Sequence, residues 1–386
     1  MNRESFLAGA AAVVAATPTQ PTQPFLTSPF TPTLRIAAVC PQSGEDRGVG
    51  MELLRGIRAA VGYLNDQRAS FNDFLILDAY DDGNRASDAT VKSSFACGNP
   101  ATLAVIGHLS AAATLVAEPV YAQATMPLIV PTVTDDRITA RSYQNVFRLP
   151  IRDSDEGALV ANYVIATGSK APYVVTQDGD YGPAVAAGFV RRASALHVTA
   201  NSSTFSLDKP DYTAAAAAVV ARLPDCVVLA GNAEDMGPLM GALRSTGYAG
   251  RFVGTQGFFD PITVQLYAKL ADGMVVSSAV PYYPLAPTTA LNLRDYQGHY
   301  GPLSPVAAYG YAAVQLIQLA QQRSGATNRL NMIRALSNGG SFDTMTGTYS
   351  FGPTGDVLDP NCYFYVLKDG KFAYERQAHR SGFMLK

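Results

Sequence analysis

Ala104 to Thr114, AVIGHLSAAAT, most constrains what this chain can fold into. It is an apolar run patterned like a buried strand, then a Gly-His-Leu-Ser turn, then small residues able to start a helix. A strand that turns directly into a helix aims backbone N–H groups and a hydroxyl at the space above the strand end, a place for a carboxylate or another anion. The same unit recurs along the chain. Leu34 to Val39 reads as a buried strand and SGEDRGVG, Ser43 to Gly50, as a Gly-rich turn. The helix after it carries Leu53, Leu54, Ile57, Ala60, Val61 and Leu64 on one face. Strands are expected at Phe74 to Ala79, Leu103 to Ile106 and Pro127 to Val130, with helices at Ala86 to Ala96 and from the Ser110 turn through Tyr121.

A second series opens after Pro150. Helices are expected around Glu156 to Ala166, Pro183 to Ala195 and Met236 to Ser245. Strands are expected at Tyr173 to Thr176, Cys226 to Ala230, Arg251 to Thr255 and near Gly273 to Ser277. Alternation of this kind predicts parallel sheets covered on both faces, and 386 residues exceed what one core organises, so two α/β lobes follow.

The net charge of −2, with no basic stripe, gives no electrostatic case for nucleic acid or an anionic membrane. At the N-terminus, Phe6 to Ala16 is a short Ala-rich apolar run behind Arg3 and ahead of Thr/Pro/Gln-rich sequence through Pro32. Such a run is too short to span a bilayer and has the size of a signal-peptide core, so residues 1–33 read as an export signal and linker. Arg3 to Leu7 resembles a twin-arginine signal in which Glu4 stands for the second arginine. No other stretch has the length and apolarity of a membrane helix.

Four cysteines, Cys40, Cys97, Cys226 and Cys362, allow three pairings and have no metal-ligand spacing. Cys40 sits at a strand end with no apolar segment immediately before it, which argues against lipidation. His108 reads as a structural residue satisfying backbone groups near the strand end, since no nucleophile neighbours it. Asp81 and Asp82 precede Gly83 and read as turn residues rather than a metal pair. Gly-x-Ser-x-Gly, His-Glu-x-x-His and P-loop patterns are missing, so the chain is not expected to be an enzyme or to carry a cofactor.

Several motifs, in order over about residues 34 to 374, carry a resemblance: SG(x5)G before a helix, DAYDD (Asp78 to Asp82), VIGHLS (Val105 to Ser110), PVY (Pro119 to Tyr121), MPLIVPTVTDDRIT (Met126 to Thr139), Phe147-Arg148, DGDYGPA (Asp178 to Ala184), AYGYAAVQL (Ala308 to Leu316) and FGPTGD (Phe351 to Asp356). The chain resembles the periplasmic binding proteins for branched-chain amino acids. That resemblance implies a type I solute-binding fold, two Rossmann-like lobes joined by three crossovers and closing on a ligand that is delivered to an ABC permease. The lobes would be 34–148 plus 282–348 and 149–281 plus 349–386, with crossovers near Leu149 to Arg152, Val280 to Pro284 and Tyr349 to Pro353. A periplasmic monomer that does not span the membrane is implied. A sensing module that presents its closed form to a receptor or regulator is the other expected role.

By the same resemblance, the ligand carboxylate is held by the turn after the third strand and by Thr134, and Tyr181 closes over the ligand. The family's turn serine falls on Ala111, beside Ser110, and its ammonium-pairing acid falls on Gln256. Two family aromatics fall on Val49 and on Asn232 or Ala233. Ser110, Ala111, Thr132, Thr134, Tyr181, Gln256, Val49 and Asn232 are therefore the expected ligand-binding residues. A buried ammonium with no carboxylate partner is costly, and Gln256 supplies no charge. An ordinary α-amino acid is thus disfavoured against an organic or aromatic acid, an amide or a larger apolar molecule, for which Val49 and Ala111 to Ala113 leave room. The alternative is an amino-acid binder whose ammonium partner has moved, with Asp260, Glu234 and Asp235 as the candidates.

Overall fold

Side chains of Leu34–Cys40 (β1) alternate between two apolar cores: Leu34, Ile36 and Ala38 enter one, Ala37 and Val39 the other. A strand buried on both faces belongs inside a parallel sheet. In the computed structural model β1 lies between Leu75–Asp81 (β2) and Thr102–Gly107 (β3), with Leu128–Val130 (β4) and Val146–Arg148 (β5) beyond. The order is β2-β1-β3-β4-β5 and every pairing is parallel. Arg47–Asp66 (α1) covers one face; Ala86–Gly98 (α2) and Ala111–Gln123 (α3) cover the other, and the short Arg137–Ala140 (α4) lies after β4. The structure describes residues 34–66, 75–279, 294, 296–360, 362–379 and 382–384. The expected export signal and the crossover expected near Val280 to Pro284 lie outside the described residues.

The second series runs Asp153–Ala166 (α5), Pro172–Gln177 (β6), Tyr181–Ala195 (α6), Asn201–Phe205 (β7), Tyr212–Val220 (α7), Cys226–Ala230 (β8), Ala233–Ser245 (α8) and Arg251–Gly254 (β9). A 3-10 turn at Gln256–Phe258, Pro261–Tyr267 (α9) and Val275–Ser278 (β10) follow. Pro305–Ser324 (α10) and Arg329–Asn338 (α11) return to the first sheet, where Tyr311, Ile317, Met332 and Leu336 share a core with Ile36 and Leu53. After the hairpin Phe342–Thr344 (β11) and Gly347–Tyr349 (β12), the chain crosses again. Cys362–Lys368 (β13), Lys371–His379 (β14) and Gly382–Met384 (β15) extend the second sheet, whose order is β15-β14-β13-β10-β9-β8-β6-β7. β13 runs antiparallel to both β10 and β14. Two α/β lobes, as expected, are the result, and among the described residues no helix is long and apolar enough to cross a membrane.

Two glycines set the spacing that matters later. A Cβ on Gly157 of α5 would sit 2.0 Å from the Val185 carbonyl oxygen of α6, and one on Gly188 would sit 1.9 Å from that of Ser154. Only bare backbone lets these helices approach so closely, and across their contact the hydroxyl of Tyr181, the first residue of α6, reaches Glu156 of α5 at 2.8 Å.

The four thiols are free. Cys40 ends β1, whereas Cys97 lies in the last turn of α2, at the end of the sheet where β3 begins, and a bridge needs Cα atoms within roughly 7 Å. Non-reducing peptide mapping is expected to yield no Cys40–Cys97 linked peptide; finding one would contradict the strand order.

Candidate functional site

The turns that leave β3, β4, β6 and β9 carry most of the expected site residues. Ser110 caps α3: its φ and ψ are −112° and 159°, and its Oγ accepts the Ala113 N–H at 3.3 Å. Ala111 follows as the first helical residue, and the first N–H groups of a helix have no partner within it. Thr132, after β4, donates its hydroxyl to the Leu109 carbonyl at 3.3 Å and so ties the two turns together. Thr134 is fixed through its own carbonyl, which accepts the Asp153 N–H at 3.0 Å and Arg148 Nη1 at 2.9 Å.

In the second lobe, one carboxylate organises the wall. Glu156 of α5 is 1% exposed. Its Oε2 accepts the Tyr181 hydroxyl at 2.8 Å, and its Oε1 accepts the Gln256 N–H at 2.9 Å and the Ser277 hydroxyl at 2.7 Å. Burial pushes its carboxyl above the ordinary range while those three donors oppose the rise. One turn earlier on the same helix stands Asp153, 3% exposed, with Oδ1 lacking any hydrogen-bond partner. Burial pushes Asp153 up to about 7; the Thr134 hydroxyl bonded to it opposes the rise, and the charges of Glu156, Asp136 and Asp135 add to it. Thr134, Tyr181 and Gln256 are thereby linked, across two lobes, through α5.

Two expected residues stand apart from this hydrogen-bonded group. Val49, on the first turn of α1, is 44% exposed. Asn232 caps α8, accepting the Asp235 N–H at 2.9 Å and donating to the Asp235 carboxylate at 2.7 Å. Its backbone N–H reaches Gln177 Oε1 at 3.0 Å, which joins the ends of β6 and β8. Of the acids considered as ammonium partners, Asp260 caps α9 through the Ile262 N–H at 2.7 Å, Asp235 is engaged by Asn232, and Glu234 is exposed on α8.

Behind the Ser110 turn, His108 is fully buried between two side chains. Its Nδ1 lies 2.6 Å from Asp82 Oδ2 and its Nε2 lies 3.1 Å from the Tyr121 hydroxyl. The backbone groups expected as its partners are replaced by a carboxylate and a phenol. Asp81 accepts the Gln42 and Gly83 N–H groups at 2.7 and 2.9 Å, which is the turn role its position before Gly83 suggests.

A family model described as periplasmic binding protein matches residues 33–371. The chain belongs to the periplasmic binding protein family. This periplasmic binding protein is 25% identical over 328 residues to the leucine-specific-binding protein of Salmonella typhimurium, covering 84% of this chain and 88% of that protein. Its fold is similar to that of a leucine-binding protein from Thermotoga maritima, with a TM-score of 0.75 and 20% identity over 90% of this chain and 99% of the other. It is also similar to a solute-binding protein from R. palustris solved with benzoate, with a TM-score of 0.72 and 19% identity over 92% and 98% of the two chains. The type I fold of this periplasmic binding protein is thus shared with a protein described as leucine-binding and with one solved with benzoate.

Asp153 and Glu156 were missed in the sequence because acids in a helix's first turn ordinarily serve the helix dipole. The available signal was spacing. Glu156 stands four and eight residues before Val160 and Val164, on the face that α5 buries.

Proposed function

We propose that this protein is exported to the periplasm, captures a small organic acid bearing an amino group in the cleft between lobes 34–148 plus 282–348 and 149–281 plus 349–386, and delivers it to an ABC permease without altering it. One observation carries the ligand class: the turn that offers Ser110 and helix N–H groups to an anion stands with Thr134, whose hydroxyl meets a buried carboxyl with an unpartnered oxygen on Asp153. An ammonium arriving beside a carboxylate held at Thr134 would compensate Asp153, the group in the site with most to gain from a positive charge. This moves the ammonium partner from Gln256 to α5 and favours an amino-acid zwitterion, in keeping with the names of the curated relatives.

A second reading, an amine-free organic or aromatic acid, is favoured by the uncharged Gln256 and the small Ala111 and Ala112. There a protonated Asp153 would donate to the ligand. Linkage separates the two. A zwitterion needs Asp153 ionised, so binding expels a proton and affinity rises roughly tenfold from pH 6 to 8 across a group titrating near 7. An amine-free acid needs the proton kept, so its affinity falls over the same interval. Calorimetric titration with L-leucine, its 2-oxo acid and benzoate at both pH values is expected to show leucine binding, strengthening with pH. Binding of the 2-oxo acid or benzoate that weakens with pH would select the second reading. No binding of any would overturn both. Permease and ATPase genes beside this one would support transport, and a kinase gene would support a sensing role.

A further inference from the structure

The loop that carries Thr134 continues into Asp135, and Asp135 holds Arg137 by several bonds: its Oδ1 accepts the Arg137 N–H at 2.8 Å and Nε at 3.0 Å, and its Oδ2 accepts Nη2 at 2.5 Å. The same Nη2 reaches Asp180 Oδ2 at 2.5 Å. Asp180 belongs to the other lobe and immediately precedes Tyr181. A chain of alternating charge therefore runs from the residue after Thr134 to the residue before Tyr181. Its first member is anchored from behind, since the Asp135 carbonyl accepts buried Arg148 Nη1 at 2.5 Å. The outer pair is open to solvent, with side chains 54% and 72% exposed at Arg137 and Asp180. Asp180 makes no side-chain cap to α6, so its carboxylate is not needed to start that helix.

We propose that Asp135, Arg137 and Asp180 form a charge clasp across the cleft mouth, in which Arg137 and Asp180 are positioning residues that hold Tyr181 toward Thr134 and slow ligand escape. The clasp rests on the proposed cleft and adds to it residues that touch no ligand. Because the bridging pair is exposed, its effect is modest and salt-sensitive.

The test is L-leucine binding, with dissociation rates, to wild type, Asp180→Asn, Arg137→Gln and the double variant at low and high salt. Each single variant is expected to weaken binding roughly two- to fivefold at low salt through faster dissociation. The double variant should be no weaker than either single one, and about 1 M salt should erase the difference. Variants equal to wild type at low salt, or singles whose effects add in the double, would overturn the clasp. Should wild type bind no leucine, the ligand reading falls on its own. The clasp is then decided by small-angle scattering of the protein alone at low salt: Asp180→Arg, which sets two cations face to face, must expand the particle relative to wild type, and an unchanged curve overturns the proposal.

Discussion

Arg148→Met is expected to lower the stability of the folded chain by about 3–5 kcal/mol, the cost of breaking a buried ion pair from one side. Arg148 is 0% exposed. Its Nε and Nη2 donate to Asp356 Oδ1 at 3.0 and 2.8 Å, Nη2 also meets the Thr139 hydroxyl, and Nη1 donates to the carbonyls of Thr134 and Asp135 at 2.9 and 2.5 Å. Removing the guanidinium leaves the Asp356 carboxylate with only the Thr139 and Thr354 hydroxyls and, at 3.7 Å, Arg152 Nη1, and frees the loop that carries Thr134, so ligand affinity should fall together with stability. Part of the loss belongs to the carboxylate that has lost its close cation. Adding Asp356→Asn should therefore restore part of it rather than deepen it, a non-additivity that denaturant titration of the two single variants and the double one reads directly. A single variant within about 1 kcal/mol of wild type would show that Arg148 does not hold this junction.

The second large effect is one of pH. Glu118, in the middle of α3, is 0% exposed, and neither carboxyl oxygen has a hydrogen-bond partner. Arg141 Nη1 approaches to 3.5 Å, yet burial outweighs the attraction of Arg141 and Arg148 and pushes the carboxyl up to about 8. A carboxyl whose folded value lies above its unfolded one binds more protons when folded. Its stabilising effect is therefore complete below about pH 4.5 and is lost as pH rises toward 8. Asp153 adds the same sign between 3.8 and about 7. Wild type should be more stable at pH 5 than at pH 8, and Glu118→Gln should shrink that gap by on the order of 2–4 kcal/mol, mainly by stabilising the protein at pH 8. An unchanged gap in the variant, measured by denaturant unfolding at the two pH values, would place the dependence elsewhere.

Much of the fold was legible because its central strands are apolar on both faces. VVLA within β8 and LAVI within β3 cannot be anything but buried, and the turns after them fix where a ligand would meet backbone N–H groups. Edge strands hid themselves. NSSTF of β7 is exposed over most of its length and has no apolar period to read, although it pairs in register with all but the first residue of β6. The three residues of β5 are too few to show any period. Strands β13 to β15 form an antiparallel ribbon at the end of a chain read as strand and helix units, and β13 is buried almost throughout, so that alternation did not place them. At the site, residues in Gly-rich turns stood out, whereas Asp153, Glu156 and Arg148 owe their roles to burial. Burial of a charged residue belongs to tertiary structure, and local composition does not announce it.

The crossed connectivity of the two sheets bears on how the chain comes to be folded. β10 finds its antiparallel neighbour only in β13, Val275 opposite Val366, after α10 and α11 have been laid onto the first sheet. Neither half can mature from a contiguous stretch: the first waits for residues beyond 305 and the second for residues beyond 362. A chain emerging N-terminus first from the ribosome thus keeps β10 as an open edge until β13 has been made. Such long-range pairing slows folding relative to a fold built from local contacts. The interleaving that joins the halves in the folded protein also postpones its compact state until the last strands have arrived.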